Sequence, residues 1–284
     1  MIVAEIMASA DAEYELDEAL ADIPLSGWIP VCAHREALQQ VAIAIGAVVD
    51  CSRSDKVLIY APPERPTSRI TYARKFVGQA LKVKPLVTGV DVVAYSYRPG
   101  GDERELLNEE ELAPGVYEVL FDTPVHSLVA TGATVLESGA NYARLQVDIA
   151  GPVILAGQEY AERKRTVSRR MASLPANTSA NILTVEEATL VSPNNAGSVA
   201  QRIFDYYQLR HENEFSLVVG DEGLADIVMV DSLNREKLKG VIESMSIDLT
   251  GGFVAKVRVC GDRINTLAAD YAGEIYAGEP VGVM

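Results

Sequence analysis

Histidine and cysteine are scarce in this chain, with three of each among 284 residues, beside one tryptophan and 6% aromatic residues. The shortage bears first on chemistry. A zinc hydrolase needs a histidine-rich ligand set, a thiol enzyme a Cys/His pair, and a glycosidase two placed carboxylates. Only His34, His126 and His211 are available. His126 lies in Asp122-Thr123-Pro124-Val125-His126, which reads as a turn at a strand edge. His211 reads as the end of a helix, where positive charge is favourable without catalysis. Cys32 and His34 are close and Cys51 follows, but zinc requires a fourth ligand at sensible spacing and no second Cys/His pair exists. Three cysteines, an odd number, make no disulfide framework and read as small, partly buried residues. Carboxylate pairs such as Asp221 with Glu222 are common in any acidic chain. No catalytic, cofactor-binding or metal-binding residue is assigned on these grounds. No enzymatic activity is expected, and replacing all three histidines by glutamine is expected to remove none.

Basic residues are also few. Lys and Arg number 25 against 40 Asp and Glu, a net charge of -15. Phosphate binding needs a basic surface, so neither specific nucleic-acid binding nor attraction to an anionic membrane is expected. The longest apolar run, Val41 to Val49, is far below the ~20 residues of a spanning helix. No basic segment leads an apolar one at the start, so no signal peptide is expected. Ile2, Val3, Ile6 and Met7 have helical spacing with no capping residue ahead of them, which predicts a chain cut from a longer protein. At 48% hydrophobic and 23% charged, the sequence is ordinary globular material with two or three domains expected by length.

What is present is strongest in the last third. Ser192 and Pro193 suit the start of a helix. Ala200, Ile203, Phe204 and Tyr207 recur at i, i+3, i+4 and i+7 as one apolar stripe, and Glu212-Asn213-Glu214 reads as its end. Phe215 to Val219 and Asp226 to Val230 read as strands, separated by Gly220-Asp221-Glu222-Gly223. A hairpin follows. Val241, Met245, Ile247 and Leu249 share one parity, interrupted by Glu243, with Ser244, Ser246 and Asp248 on the other. After Thr250-Gly251-Gly252, Phe253, Ala255, Val257 and Val259 return on the dry face.

A shorter copy of this helix-then-hairpin plan spans Cys32 to Tyr60. Leu38, Val41, Ala42 and Ile45 form its stripe and Gly46 its end. Ala47 to Cys51 and Lys56 to Tyr60 read as two strands joined by a polar turn. Between the modules, Pro62-Pro63-Glu64-Arg65-Pro66 reads as a stiff linker. Short apolar runs with turn punctuation follow: Leu81 to Tyr97, Gly115 to Phe121, Ser127 to Ala130, Ala133 to Leu136, Tyr142 to Ile149 and Val153 to Tyr160. They predict a small β-sandwich or barrel. Glu162 to Arg170 is basic and reads as a solvated strand returning to the first module, and Leu174 to Ala180 as a polar loop. The fold class expected is α+β, β-rich, with two helix-plus-hairpin modules flanking that β-domain. The segments are 1–62, an N-terminal α+β module; 63–165, a middle β domain; and 166–284, a C-terminal α+β module.

The segments Gly27 to Gln40 and Gly240 to Gly252 resemble tail proteins of phages and prophages of Gram-positive bacteria. More distantly, the plan is similar to that of the baseplate-hub and late-control proteins of tailed phages. In that group a helix followed by glycine-acidic-apolar strands recurs, and Leu224-Ala225-Asp226-Ile227-Val228 occupies that place without the glycine. The resemblance implies a hub joining tail tube to tip, a homotrimer in the assembled tail whose paired domains make a pseudo-sixfold ring. Its partners would be other tail or baseplate proteins, in a virion tail assembled in the bacterial cytoplasm. Two alternatives belong to other classes: a tail-associated cell-wall hydrolase, and a carbohydrate-binding module with Tyr95, Tyr97, Tyr142 and Tyr160 as sugar platforms.

Overall fold

The computed structural model describes residues 2–231, 237–250 and 252–264. The fold is α+β and rich in strands. The chain opens with α1 (Ile2–Ser9), β1 (Tyr14–Leu16), α2 (Glu18–Ala21), α3 (His34–Ile45), β2 (Val48–Asp50) and β3 (Val57–Tyr60). Next come β4 (Ser68–Ile70), a 3-10 turn at Tyr72–Arg74, β5 (Ala80–Val83), β6 (Gly89–Arg98), β7 (Glu103–Leu112), β8 (Gly115–Leu120) and β9 (Val125–Thr131). Then follow β10 (Thr134–Ser138), β11 (Tyr142–Val147), β12 (Gly151–Glu159), β13 (Ala161–Arg170) and β14 (Ile182–Val185). Last are α4 (Ala196–Gln208), β15 (His211–Val218), β16 (Ile227–Asp231), β17 (Lys237–Asp248) and β18 (Val254–Ile264). No helix among the described residues is long and apolar enough to cross a membrane.

Two compact units share the chain. One takes Met1–Tyr60, Gly89–Met171 and Ile182–Gln201; the other takes Ala61–Thr88, Ala172–Asn181 and the chain from Arg202 onward. The boundary after Gln201 falls inside α4.

In the first unit, α1 buries Val3, Ile6 and Met7 beside α3. The buried face of α3 carries Ala37, Val41, Ala44 and Ile45, not the stripe Leu38, Val41, Ala42 and Ile45. Both sets satisfy the helical period, and α1 selects between them. Gly46 ends α3 in the left-handed region at φ 79, its N–H donating to the Ala42 carbonyl, as a C-terminal glycine should. The hairpin expected here is present as β2 antiparallel to β3, and β1 joins β3 in parallel on the far edge.

The expected sandwich is also present. The sheets β10-β11-β8 and β7-β12-β9 enclose one core. Ala143, Leu145 and Val147 point in from β11, and Val153 and Leu155 from β12, joined by Phe121 and Val125. Their alternation is the period-two pattern that made these strands legible. β7 was not legible. Its sequence ERELLNEEEL is mostly charged, and only Leu106, Leu107 and Leu112 reach the core. The basic strand β13 pairs with β6 in unbroken antiparallel register, not with the N-terminal module, and β14 lies parallel on the other side of β6.

The second unit is a six-stranded sheet in the order β4-β16-β17-β18-β15-β5. The apolar run Leu81 to Tyr97 is thus not one strand. It is divided at Lys84-Pro85 between β5 at this sheet's edge and β6 of the other unit. Proline cannot donate to a ladder, so the run breaks there.

Four details of the C-terminal module depart from expectation. The helix starts at Ala196, because Ser192 to Asn195 is a turn in which Asn195 Oδ1 accepts the Ser192 N–H at 2.8 Å. Glu212-Asn213-Glu214 is not a helix end but part of β15, with Asn213, Phe215 and Leu217 buried on one face. β15 pairs with β18 and β5 rather than with β16, so this module's strand pairing differs from that of the N-terminal hairpin. The dry face of β17 is Ile242, Met245 and Ile247, since a bulge at Glu243 shifts the register and puts Val241 on the other side. Leu249 and Phe253 sit at the hairpin tip, 72% and 63% exposed, while Ala255, Val257 and Val259 are buried as expected. Gly251, the stretch 232–236 and the part of the 166–284 segment beyond 264 lie outside the described residues.

Ala225 leads into β16 at φ 62. Its N–H donates to the Ile242 carbonyl and the Ile242 N–H returns to the Asp226 carbonyl, both at 3.0 Å, so the sheet holds this conformation in place. A left-handed alanine costs roughly 1 kcal/mol, which glycine avoids but partly gives back as chain entropy. Ala225→Gly is therefore expected to raise stability by about 0.5–1 kcal/mol, read as a higher urea midpoint with an unchanged m-value. A lower midpoint would show that the backbone is not strained at this position.

Candidate functional site

The three histidines lie in three separate settings. His34 is exposed at the first turn of α3, with Nε2 3.1 Å from Ser9 Oγ. His126 is in β9, its Nε2 accepting the Gly100 N–H at 3.1 Å, which leaves Nδ1 to carry the proton toward Ser127 Oγ at 2.8 Å. His211 begins β15 and lies after the end of α4, so the expected helix-terminal charge role is absent. Cys32 and Cys51 are exposed, not partly buried as expected, and Cys260 is fully buried.

Among the described residues, the one group of three His, Cys, Asp or Glu ligand atoms within 4.8 Å of one another is Glu212, Glu243 and Cys260, in the second unit. The bulge in β17 turns Glu243 to this side of the sheet, and the pairing Glu212↔Cys260 brings the other two together. Lys84 already supplies the cation. Its Nζ donates to Glu243 Oε1 at 2.6 Å, and the Tyr206 hydroxyl donates to the same oxygen. Glu212 is itself near Lys82 at 3.7 Å and Arg258 at 3.9 Å.

The surroundings shift the protonation equilibria of this cluster. Burial, helped by Glu243, pushes the Cys260 thiol up to about 11, so no thiolate forms near neutral pH. Burial opposes the Lys84 charge, but its bonds to Cys260 and Glu243 outweigh that and leave it above the ordinary lysine value. Burial and then Glu243 raise Tyr206. Lys84 and Tyr206 together satisfy the Glu243 carboxylate beside the sheet.

A buried acid elsewhere in this unit was missed in the sequence. Glu222 is 1% exposed in the turn Gly220-Asp221-Glu222-Gly223. It accepts from Arg74 Nη1 at 2.7 Å and Nη2 at 2.9 Å, from the Gly220 N–H at 2.9 Å and from Ser68 Oγ at 3.3 Å. Burial works against its charge, but the guanidinium and the backbone N–H prevail and hold it at about 2. The available signal was a carboxylate set between Gly220 and Gly223, where a turn can fold around it.

The tyrosines are split between two clefts of the first unit. Tyr95, Tyr97 and Tyr160 line a cleft of about 480 Å³ with Trp28, Pro124 and Pro193. Tyr142 lines another of about 500 Å³ with Cys32, His34 and Glu118. Tyr95 is only 6% exposed and its hydroxyl accepts the Glu187 N–H at 3.0 Å. Burial pushes Tyr97 up to about 12. Both are packed rather than presented. Gly27 approaches this cleft at φ 142, where a Cβ would stand 2.2 Å from the Thr189 carbonyl oxygen, so glycine is required.

No family model matches the chain, and no curated protein sequence matches it. Several solved structures resemble it. One belongs to the virion of a native gene transfer agent particle, at TM-score 0.47 and 13% identity over 92% of this chain and 46% of that one. A second is the 43 kDa tail protein of prophage MuSo2 from Shewanella oneidensis, at TM-score 0.47 and 9% identity over 92% and 65%. A third is the tail protein from Neisseria meningitidis MC58, at TM-score 0.45 and 10% identity over 92% and 65%. The chain spans between about half and two thirds of the length of these proteins. At such identities no residue takes a role from them.

Two measurements probe these acids. Glu222 has a depressed pKa in the folded state, so its stabilisation is full above the ordinary carboxylate range and is lost as pH falls from about 4.5 toward 2. The amount is roughly 3 kcal/mol. In urea titrations from pH 7 to 3, Glu222→Gln should be less stable at pH 7 and show a flatter acid branch than the parent. Parallel acid branches would remove Glu222 from the acid response. For the other cluster, Lys84→Met leaves Glu243 without its cation and is expected to cost about 2–3 kcal/mol. The Lys84→Met, Glu243→Gln double variant should recover about 1 kcal/mol or more of the sum of the singles. Strict additivity would mean that the pair is not coupled.

Proposed function

We propose that the chain is a structural component of a phage or prophage tail of Gram-positive bacteria. In this reading it serves as a baseplate or tail-tip hub joining tail tube to tip, and acts by protein-protein assembly without catalysis. The subunit is a homotrimer in the virion tail, put together in the bacterial cytoplasm with other tail proteins. The segments 1–62, 63–165 and 166–284 are its modules, and the shared helix-then-hairpin order at 28–60 and 184–261 is an internal duplication.

The observation that carries this reading is the backbone at Ala225. The resemblance stated on Leu224 to Val228 lacked the glycine of the glycine-acidic-apolar pattern. Ala225 takes the left-handed conformation for which such a glycine is suited, Asp226 Oδ2 accepts the Gly223 N–H at 2.8 Å, and Ile227 starts the strand. The geometry of the pattern is kept where its most telling residue is not. The segment 27–40 is likewise structured around a required glycine and the start of α3.

A carbohydrate-binding reading has one observation in its favour, the aromatic lining of the cleft at Trp28, Tyr95, Tyr97 and Tyr160. The burial of Tyr95 weighs against it, since a sugar platform needs an exposed ring face.

Light scattering across a concentration series, followed by negative-stain imaging with and without co-expressed tail proteins, tests the hub. Threefold rings, or incorporation into a tail particle, are expected. Cell-wall release by the purified chain that is abolished by His34→Gln, His126→Gln or His211→Gln would replace the hub with a hydrolase.

A further inference from the structure

Two strands of the first unit, β7 and β13, are each ten residues long, each at the edge of its sheet, and each almost wholly exposed. β7 pairs only with β12, and β13 only with β6. Among the described residues neither makes a backbone hydrogen bond to any further element, so each presents a free row of N–H and C=O groups. Such edges are templates for another strand unless something prevents it.

Their charges are opposite. β13 carries Arg163, Lys164, Arg165, Arg169 and Arg170 against Glu162. β7 carries Glu103, Glu105, Glu109, Glu110 and Glu111 against Arg104. This concentration of base stands in a chain of net charge -15. Part of it is used internally: Arg170 pairs with Asp91 at 2.7 Å, Lys164 with Glu162 at 3.0 Å, and Arg104 with Glu159 at 3.0 Å. Arg163, Arg165 and Arg169 have no carboxylate partner among the described residues, and Glu109, Glu110 and Glu111 have no cation.

Charge on an edge strand ordinarily blocks pairing, and here it does so selectively. β13 against β13 and β7 against β7 would set like charges side by side. β13 against β7 would set opposite charges there, along two strands of equal length. A single contact does not satisfy both edges, because it leaves β7 free on one copy and β13 free on the other, to be offered onward. That is a head-to-tail contact, which closes into a ring when the rotation allows.

We propose that the basic edge β13 of one copy receives the acidic edge β7 of a second copy by strand addition, joining the two sheets across the contact. The inference deepens the hub reading by naming its self-contact, but it rests on the two edges and not on the tail assignment.

Charge reversal tests it. One variant carries E109K, E110K and E111K in β7, and another R163E, R165E and R169E in β13. Both sets point mainly to solvent, and circular dichroism checks that each variant folds. In light scattering at low salt, the parent mass should rise with concentration and fall back as salt is added. Each single set should hold the chain at the monomer mass. The two single sets mixed, or combined in one chain, should restore association. The milder variants R165Q and E110Q should each weaken association about two- to tenfold and lower its salt dependence, which a reversal that merely disturbs folding would not do. A parent that stays monomeric throughout, or association untouched by both reversals, overturns the contact. Rings that persist in both reversed variants overturn it while leaving the hub standing. Charge-swapped pairing by a chain that never enters a tail particle overturns the hub while leaving the contact standing.

Discussion

The six-stranded sheet must gather strands from two distant stretches of chain, and the Glu222 carboxylate joins them. β4 and β5 come from 61–88, while β15 to β18 come from beyond residue 210. Closing such a long loop costs entropy before any contact is made. Glu222, on the later stretch, takes Arg74 and Ser68 from the earlier one while its own turn donates through Gly220. Arg69 adds a two-pronged pair with Asp231, and Lys75 Nζ donates to the Asp231 carbonyl at 2.9 Å. A buried carboxylate is expensive unless every oxygen is met, and the donors on both stretches meet it only when the sheet is closed. The proline-rich stretch 62–66 then has a use: it is stiff chain leading into a strand that must arrive in register.

The same accounting applies at Glu243. A bulge places a carboxylate where the strand pattern would put an outward residue, beside a buried thiol. Left alone, this would be an unpaired, half-buried charge. Lys84 and Tyr206 answer it. The three ligand atoms lie close together, and an ammonium already stands against Glu243. Proximity of ligand types is a matter of position; availability depends on what else has been packed among them.

The local pattern of this chain was legible where one rule acted alone. Strands of the sandwich alternate cleanly because each has one dry and one wet face, so β8, β9, β10, β11 and β12 were visible. The end of α3 at Gly46 was visible because only glycine enters the left-handed region freely. β7 was missed because nearly all its side chains face water, which removes the alternation while leaving the backbone pairing. The face of α3 was misjudged because Leu38 and Ala37 fit the same helical period. Glu222 was passed over because a carboxylate between glycines in an acidic chain looks solvated.

Composition and periodicity by themselves determined the β-rich α+β class, the two helix-plus-strand regions and the sandwich between them, since these follow from nearest-neighbour sterics and the burial of alternate side chains. Tertiary structure decided the rest. It chose which strands pair, setting β15 beside β18 rather than β16, and divided the run from Leu81 to Tyr97 between two units. It moved Val241 out of the dry face through one bulged residue, and made an anchor of a buried glutamate, Glu222, and of a half-buried one, Glu243. Pairing and burial are long-range choices: they depend on the partners that other parts of the chain bring to a site, and no window of sequence contains those partners.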